Sequence, residues 1–227
     1  MSAIANYTQR VQQPDVLSEL EVNYALRFIV HFLGDIAQPL HVENLALGGN
    51  EIDVTFDGED WNLHAVWDTA IPNQIRHVDN VSLSDAKAWA ADLTKAIKSG
   101  KYKSRAHSWI EGDDISDAKN SALTWATDTN SYVCSVVLPD GVEAVETTDL
   151  AGAYFNKSVE TVELQIAKGG FRLANWLDQL AAAQDNGTTY RRSGVDLSGR
   201  DLLPEPRELS KAKLARRAVG WECAHPH

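Results

Sequence analysis

Two histidine–aspartate pairs and a further histidine, all within a stretch of 38 residues, constrain this chain more than any other feature of its sequence. His31 and Asp35 are four residues apart. The same spacing separates His64 from Asp68, and His41 lies between the two pairs. On a helix, this spacing places both side chains of a pair on one face, so that each pair can bind a common ion. Imidazole nitrogen and carboxylate oxygen are typical ligands of zinc, which binds about four of them. The pattern therefore predicts a zinc site.

An amphipathic helix is predicted directly before the first pair. Apolar residues recur at helical spacing from Leu20 to Leu33. Ser18, with Glu21 three residues later, fits the capping box that starts many helices, so the first ordered element is expected to begin there. Pro39 prevents the helix from continuing beyond the first pair.

A turn and a β-hairpin are predicted between the two pairs. Gly48-Gly49-Asn50 is typical of a turn, the alternating segment EIDVTF predicts a strand, and Asp57-Gly58 predicts the tight turn of a hairpin. The return strand, expected at about residues 61–66, carries His64 back toward the first helix. The two pairs are therefore expected to lie close together.

Three further helices are predicted from apolar periodicity and capping signals. They are expected at about 83–99, at 117–137 and within 149–183, with a bend or break in the last one at Gly169-Gly170. Together with the first helix and the hairpin, they predict a mainly α fold with a small β-hairpin.

The composition changes near the C-terminus. Residues 187–227 contain 8 of the 21 Lys and Arg residues, but only 5 of the 32 Asp and Glu residues. Apolar periodicity is weak there, so this segment is predicted to be disordered or marginally helical. We therefore expect a folded domain at 1–184 and a disordered tail at 185–227.

Composition and charge exclude several classes of protein. No apolar run approaches the roughly 18 residues of a membrane-spanning helix, so no membrane span is predicted. The formal net charge is −11, and an acidic chain does not attract nucleic acid by its overall field. A phosphate-bearing substrate would therefore have to be held by something local, such as metal ions.

Cysteines and glycosylation motifs bear on the compartment of the protein. Cys134 and Cys223 are the only cysteines and do not form a disulfide framework. Residues 1–15 do not have the pattern of a signal peptide. A secreted glycoprotein is nevertheless favoured by four Asn-x-Ser/Thr triplets. The triplets begin at Asn6, Asn80, Asn156 and Asn186.

Six blocks of this sequence resemble the zinc-dependent single-strand nucleases of fungi and plants, the S1/P1 type. The blocks are FIVHFLGDIAQPLH, GGNEIDVTFDG, NLHAVWDT, SWIEGDD, ATDTNSYVCSVVL and GGFRLANWLDQLA. These nucleases belong with the bacterial zinc phospholipases C in one mainly helical superfamily, so the resemblance implies a multi-helix fold of that type. It covers about residues 3–183.

The resemblance implies an enzyme that uses three zinc ions to hydrolyse phosphodiester bonds in single-stranded DNA and RNA and to remove 3′-phosphates from nucleotides. A zinc-activated water would attack the phosphorus. His31 and Asp35 match ligands of the first zinc, and Asp35 also bridges to the third. His41, His64 and Asp68 match all the protein ligands of the second zinc, which keeps one position open. A secreted, monomeric protein that acts in DNA catabolism is also implied.

The same resemblance leads us to expect an N-terminally truncated chain. In the family, the first and third zinc ions also bind an N-terminal Trp, two histidines and an Asp that orients the attacking water, and none of these is matched here. On that count, only the second zinc site is complete, and impaired activity is expected. Cys134 matches a family cysteine whose disulfide partner lies in the unmatched segment, so it is expected to be unpaired.

Two alternative functions remain open at this point. One is a non-catalytic remnant that binds a single zinc ion. The other is a zinc-dependent phospholipase C. The resemblance disfavours it, because those enzymes have a Glu at the position that matches Asp68. Three alanines replace two histidines and an asparagine that are common in the family; the histidines are not core ligands, but the loss of the asparagine, at Ala70, leaves nucleotide affinity and base preference open. They are Ala37, Ala65 and Ala70.

Other polar and aromatic residues also have structural explanations. Trp61 and Trp67 could stack on nucleobases, but packing in the core is favoured. Asn50 is expected to fix a turn. The remaining candidates for ligands or phosphate contacts are expected to be solvated surface residues. They are His77, His107, Lys101, Lys103 and Arg105.

Overall fold

The longest helix of the fold, α9 (Ala153–Asp185), contacts helices from several parts of the chain. In the computed structural model, which describes residues 1–185, α9 packs against α2 (Glu19–Asp35), α5 (Ile71–Arg76) and α6 (Leu83–Lys98). The described part is mainly helical with one two-stranded sheet, which confirms the predicted fold class. The segment from residue 186 onward, for which the sequence predicts a tail, lies outside the described residues, so the domain boundary stays a prediction.

The other elements are short, apart from α1 and α7. They are α1 (Ser2–Val11), a 3₁₀ turn at Pro39–Val42, α3 (Ala46–Gly49), β1 (Asp53–Phe56), β2 (Glu59–Asn62), α4 (Leu63–Ala65), a π-helical segment at Val66–Ala70, 3₁₀ turns at Ala106–Trp109 and Ile115–Asp117, α7 (Ala118–Tyr132), a π-helical segment at Val133–Val137 and α8 (Val142–Glu146). The helices predicted at 83–99 and 117–137 are confirmed, although the second becomes π-helical after Tyr132. Within residues 1–185, no helix is long and apolar enough to cross a membrane.

Helix α2 begins and ends where the sequence indicates. Ser18 Oγ accepts a hydrogen bond from the Glu21 backbone N–H, and the Glu21 carboxylate accepts one from the Ser18 N–H at 3.0 Å. This reciprocal pair is a complete capping box. Every fourth residue along one stripe of the helix is buried, as expected for an amphipathic helix that faces a core. The stripe consists of Ala25, Ile29 and Leu33.

A helix that the sequence did not predict precedes α2. Helix α1 packs against α2 and α7, so the expectation that ordered structure begins near Ser18 was wrong. Its buried stripe consists of Ile4, Thr8 and Val11. Thr8 is fully buried, and its hydroxyl is satisfied there because its Oγ1 accepts a hydrogen bond from Trp176 Nε1 at 3.1 Å. With a polar residue at the centre of the stripe, the apolar periodicity was too short to indicate a helix.

The hairpin is confirmed, but its return strand is shorter than predicted. Strand β1 pairs with β2 in antiparallel register, and Asp57 and Gly58 both have a positive φ, as a two-residue hairpin turn requires. The return strand ends at Asn62 rather than near residue 66. The Asn62 side chain accepts a hydrogen bond from the Ala65 N–H at 2.8 Å, which caps α4. His64 therefore lies on a helical turn and not on a strand.

Helix α9 continues through Gly169-Gly170, so the predicted break does not occur. A Cβ atom on Gly169 would lie 3.0 Å from the Ala37 Cβ, and α2 also contacts α9 directly. The glycine thus permits a close approach between α9 and the segment that follows α2. Close packing against Ala37 accounts for this glycine, and whether α9 bends there stays a prediction.

The buried apolar residues form two clusters that share α9. One cluster includes the hairpin, the segment after it and α6, and the other includes α1, α2 and α7. In the second cluster, the rings of Trp125 and Trp176 meet edge to face, with their centroids 5.0 Å apart. Leu164 and Ala167 of α9 belong to the first cluster, and Trp176 to the second. The two histidine–aspartate pairs lie on elements of different clusters.

A buried ionic network connects α7 to α9. Lys168 Nζ lies 2.8 Å from each carboxylate oxygen of Asp128, and Arg172 Nη2 donates to Asp128 Oδ2 at 2.7 Å. Lys168 and Arg172 are both buried. Partial burial raises the pKa of Asp128, but the hydrogen bonds from these two cations outweigh it and hold that pKa below its usual value. The carboxylate on α7 and the two cations on α9 therefore compensate one another, and removal of either side would leave a buried charge unpaired.

Replacing the shared carboxylate should destabilise the fold in a pH-dependent way. Asp128→Asn leaves two buried cations without a counter-charge, so the free energy of unfolding at pH 7 should fall by about 3 kcal/mol. Because the pKa of Asp128 is lowered in the folded state, its contribution is complete above the unfolded value of about 3.9 and is lost as the pH falls through the folded value. Urea unfolding at several pH values should show a steeper acid loss in the wild type than in the variant.

Asp92→Asn is the matched control for this prediction. Asp92 pairs with Arg76 at 3.2 Å, but its side chain is 67% exposed. Such surface pairs contribute less than about 1 kcal/mol. Equal destabilisation by the two substitutions would contradict the assigned role of Asp128.

Candidate metal centre

Three short segments bring His41, His64 and Asp68 together. His41 lies in the 3₁₀ turn that follows α2. His64 lies on α4, and Asp68 lies in the π-helical segment that continues α4. The hairpin reverses the chain between these segments, which places the later pair beside the end of α2.

The ligand atoms of these three residues converge. One atom from each lies within 4.8 Å of the other two. His41 Nε2 is 3.3 Å from Asp68 Oδ1, and His64 Nε2 is 3.2 Å from Asp68 Oδ2. The two imidazole rings are stacked, with their centroids 5.0 Å apart. Two imidazole nitrogens and a carboxylate are a donor set that catalytic zinc sites use, so the residues present fit a zinc ion.

Backbone carbonyls fix the orientation of both imidazoles. His64 Nδ1 lies 2.7 Å from the Gly48 carbonyl oxygen, and His41 Nδ1 lies 3.1 Å from the Asp35 carbonyl oxygen. A carbonyl at Nδ1 requires the proton there, which leaves Nε2 free to bind a metal. Both Nε2 atoms are the ones that face Asp68. The rings are therefore oriented for metal binding.

The Gly48 carbonyl is positioned by an unusual turn within α3. Leu47 and Gly48 have φ values of 53° and 66°, in the left-handed region. A Cβ atom on Gly48 would lie only 2.5 Å from the Leu40 carbonyl oxygen, so no other residue fits there without a shift of the backbone. The Gly-Gly-Asn sequence predicted a turn, but it gave no sign that this carbonyl contacts His64.

The earlier pair lies beside the cluster without joining it. His31 Nε2 is 3.1 Å from Asp35 Oδ2, and Asp35 Oδ1 is 3.8 Å from His41 Nδ1. The His31 side chain is 65% exposed. All five predicted ligands therefore lie on one surface, but three of them have the geometry for a common ion. Binding of further ions by His31 and Asp35 stays a prediction.

Hydrogen bonds stabilise the ionised form of Asp68. Gln38 Nε2 donates to Asp68 Oδ1 at 3.0 Å, a contact that the sequence did not predict. Partial burial raises the pKa of Asp68, but the hydrogen bonds from His41 and Gln38 outweigh it and lower that pKa. The hydrogen bond to Asp68 in turn raises the pKa of His41, against the effect of burial. A proton and a metal ion would therefore compete for His41.

The aromatic candidates pack in the core, as favoured from the sequence. Trp67 is buried and its Nε1 donates to Tyr154 Oη at 2.7 Å. Trp61 is partly buried and packs against the apolar cluster that contains Trp67. Asn50 Nδ2 donates to the Leu47 carbonyl oxygen at 2.8 Å, and so stabilises the turn.

The charged candidates do not join the cluster either. Lys101 forms an ion pair with Glu163 at 2.6 Å, and His77 and His107 are exposed. Cys134 is exposed and has no disulfide partner among the described residues. Cys223 lies outside the described residues.

Comparison with known proteins places this arrangement in a family. The family model for S1/P1 nucleases matches residues 1–182, which include both histidine–aspartate pairs and α9 almost to its end. This chain is a member of the S1/P1 nuclease family. The family and the fold implied by the resemblance are thus confirmed.

Three relatives of this chain at about half identity are fungal nucleases. This chain is 50% identical over 184 residues to nuclease P1 of Penicillium citrinum and to nuclease PA3 of a Penicillium species. It is 49% identical over 183 residues to nuclease S1 of Aspergillus oryzae. The matches cover 81%, 81% and 80% of this chain and 67%, 67% and 62% of the relatives, in that order. The chain therefore spans about two thirds of the length of these nucleases.

The contact between Gly48 and His64 can be tested by adding one methyl group. Gly48→Ala requires the backbone at residue 48 to shift, because the new Cβ would meet the Leu40 carbonyl oxygen, and this shift should disturb the contact with His64 Nδ1. Loss of such an orienting contact typically costs 10–100-fold in metal affinity, so zinc affinity should fall by about that factor. Competition with a chromogenic chelator would measure it.

Gly58→Ala controls for backbone strain alone. Gly58 also has a positive φ, of 77°, but a Cβ there would meet nothing within 4 Å. We expect this variant to be mildly destabilised and to bind zinc like the wild type. A similar loss of zinc affinity in both variants would show that strain, and not the carbonyl contact, is responsible.

Proposed function

We propose that this protein is a zinc-dependent nuclease that hydrolyses phosphodiester bonds in single-stranded DNA and RNA and removes 3′-phosphates from nucleotides. The observation that carries the proposal is the convergence of His41, His64 and Asp68 on one point, in a member of a nuclease family. The relatives at about half identity are named as nucleases.

Each residue of the cluster has a distinct task in this proposal. His41, His64 and Asp68 hold the ion. A bound zinc ion would polarise a phosphate oxygen and lower the pKa of a water molecule. The carbonyls of Gly48 and Asp35 keep the two rings in the ligating orientation, and Gln38 keeps the Asp68 carboxylate in place. The Asp35 carboxylate, 3.8 Å from His41 Nδ1, would be a ligand of a further ion.

The charge of the site supports a role for metal ions. In the described part of the chain, the ion pairs made by Asp35 and Asp68 are all with histidines. The whole chain carries a net charge of −11. A phosphodiester at this site would be repelled by the carboxylates of Asp35 and Asp68 unless a cation were bound to them.

We also propose that the protein is a secreted glycoprotein and a monomer. Three of its four glycosylation triplets lie within residues 1–185, and their asparagines are all exposed. They are Asn6, Asn80 and Asn156. The triplet at Asn186 begins outside the described residues.

A second candidate is a zinc-binding protein with little or no turnover. Within residues 1–185, the cluster is the only group of three ligand residues with the geometry for a metal ion. One ion alone would leave His31 and Asp35 without a role in metal binding. The third possibility, a phospholipase C, is disfavoured by the family match.

The metal content of the purified chain separates these candidates. We expect one zinc ion per chain if only the cluster binds, and more if His31 and Asp35 also contribute. His64→Ala should remove the cluster zinc and any hydrolysis of single-stranded DNA, since two ligands do not hold zinc tightly. Atomic emission and a nuclease assay would measure both quantities on the same preparation.

His77→Ala is the control, because His77 is exposed and lies outside the cluster. It should leave the zinc content and the nuclease activity unchanged. A folded wild-type protein without zinc would refute the proposal. A protein with one zinc ion and no hydrolysis would favour the non-catalytic candidate.

A further inference from the structure

The turn that carries His41 has little support of its own. Residues 37–42, here called the ligand turn, contain Gln38, which donates to Asp68, and His41, which belongs to the cluster. Their regular part is a single 3₁₀ turn at Pro39–Val42, preceded by a hydrogen bond of 3.0 Å from the His41 N–H to the Gln38 carbonyl oxygen. Such short turns have poor hydrogen-bond geometry. The groups that hold the two ends of the ligand turn therefore affect where His41 and Gln38 lie.

Gln165 of α9 holds the first end of the ligand turn. Its side chain is buried, and its Nε2 donates to the Ala37 carbonyl oxygen and to Thr129 Oγ1 of α7, each at 3.0 Å. These two acceptors fix the orientation of the amide, because the reversed amide would place its oxygen against the Ala37 carbonyl. Ala37 is itself buried, so loss of the amide would leave its carbonyl without this partner in a dry environment.

Gly169 adds a second contact at the same end. A Cβ atom on Gly169 would lie 3.0 Å from the Ala37 Cβ. Residues four apart lie on the same face of a helix, so Gln165 and Gly169 face Ala37 together. Helix α9 thus meets the start of the ligand turn with a hydrogen bond and with a close approach of its backbone.

Asn130 of α7 holds the second end of the ligand turn. Its Nδ2 donates at 3.1 Å to the Val42 carbonyl oxygen and at 3.1 Å to Glu43 Oε2. The other oxygen of that carboxylate accepts hydrogen bonds from the N–H groups of Asn44 and Leu45, at 2.7 Å and 3.0 Å. The chain is therefore fixed directly after the ligand turn as well as at its start.

We propose that Gln165 and Asn130 are positioning residues of the metal centre, which act by holding the ligand turn at its two ends. The inference rests on the proposed zinc site, because it concerns how His41 is presented to the ion. The hydrogen bonds of both amides go to groups outside the cluster, so they act on it through the backbone. Their helices, α7 and α9, are joined by the ionic network around Asp128. The position of His41 is thus set by two helices that supply none of the three cluster residues.

Gln165→Met tests the first end of the ligand turn. Methionine resembles glutamine in length and volume but cannot donate a hydrogen bond, so the Ala37 carbonyl loses its partner while the packing is kept. Zinc affinity should fall by about 10-fold, the lower end of the range for groups that orient metal ligands. Asn130→Ala removes a more exposed contact and should weaken zinc binding by about 3-fold. Competition with a chromogenic chelator would measure both on the full chain.

A second measurement needs no metal ion. The His41 N–H is hydrogen-bonded within the ligand turn, so its hydrogen exchange reports how often that turn opens. In the metal-free full chain, Gln165→Met should raise the exchange rate of the His41 amide by about 10-fold relative to the amides of the β1–β2 hairpin. Exchange measured by NMR would resolve the two regions.

Gln179→Met is the matched control. Gln179 is also a glutamine of α9 whose Nε2 donates to a backbone carbonyl, but that carbonyl is the one of Asp113, at 3.2 Å, and not part of the ligand turn. The control should lose some overall stability, as Gln165→Met does. Its zinc affinity and its exchange at His41 should equal those of the wild type.

The possible outcomes separate this inference from the proposed function. Equal exchange at His41 in the wild type and in Gln165→Met overturns the positioning role, and so does an equal effect of Gln179→Met, which would indicate general destabilisation. Unchanged zinc affinity in Gln165→Met, when the wild type binds zinc, overturns it as well. A wild type that binds no zinc refutes the proposed function, and the exchange at His41 then decides whether Gln165 holds the ligand turn.

Discussion

The site depends on one carboxylate, that of Asp68, which two imidazoles and an amide contact at the same time. In water such a group would be fully solvated, and here part of that solvation is replaced by His41, His64 and Gln38. The imidazoles can neutralise it only when protonated, whereas a bound cation neutralises it at any pH above the range in which the ligands take up protons. The fold thus supplies negative charge and oriented nitrogens, and binding of a cation would stabilise the folded state.

Asp128 shows how a structural carboxylate differs from this one. Its partners, Lys168 and Arg172, carry permanent charges and lie within 2.8 Å, so the network is satisfied without any ligand. The partners of Asp68 include no permanently charged group: Gln38 is a neutral amide at 3.0 Å, and the two imidazoles lie at 3.2 Å and 3.3 Å. Both carboxylates have a lowered pKa, so the direction of the shift does not distinguish them. The chemical identity of their partners distinguishes the structural carboxylate from the one in the candidate metal site.

Local signals in the sequence were sufficient for some elements and insufficient for others. The capping box at Ser18 and the Asp57-Gly58 turn predicted α2 and the hairpin, because both depend on residues a few positions apart. The ligand spacing likewise indicated the cluster. The contact from Gly48 to His64 spans 16 residues and that from Gln38 to Asp68 spans 30, so neither has a local pattern. Helix α1 was missed for the same reason, since the polar residue in its buried stripe, Thr8, is satisfied by a hydrogen bond from the distant Trp176.

Helix α9 has a consequence for how the domain unfolds. It is 33 residues long, and residues from its two halves belong to the two different apolar clusters. A helix of this length is stabilised mainly by the surfaces that pack on it, so loss of either cluster would expose half of α9 to water. The stabilities of the two clusters are therefore coupled through α9. The described domain should unfold as a single cooperative unit and not as two independent ones.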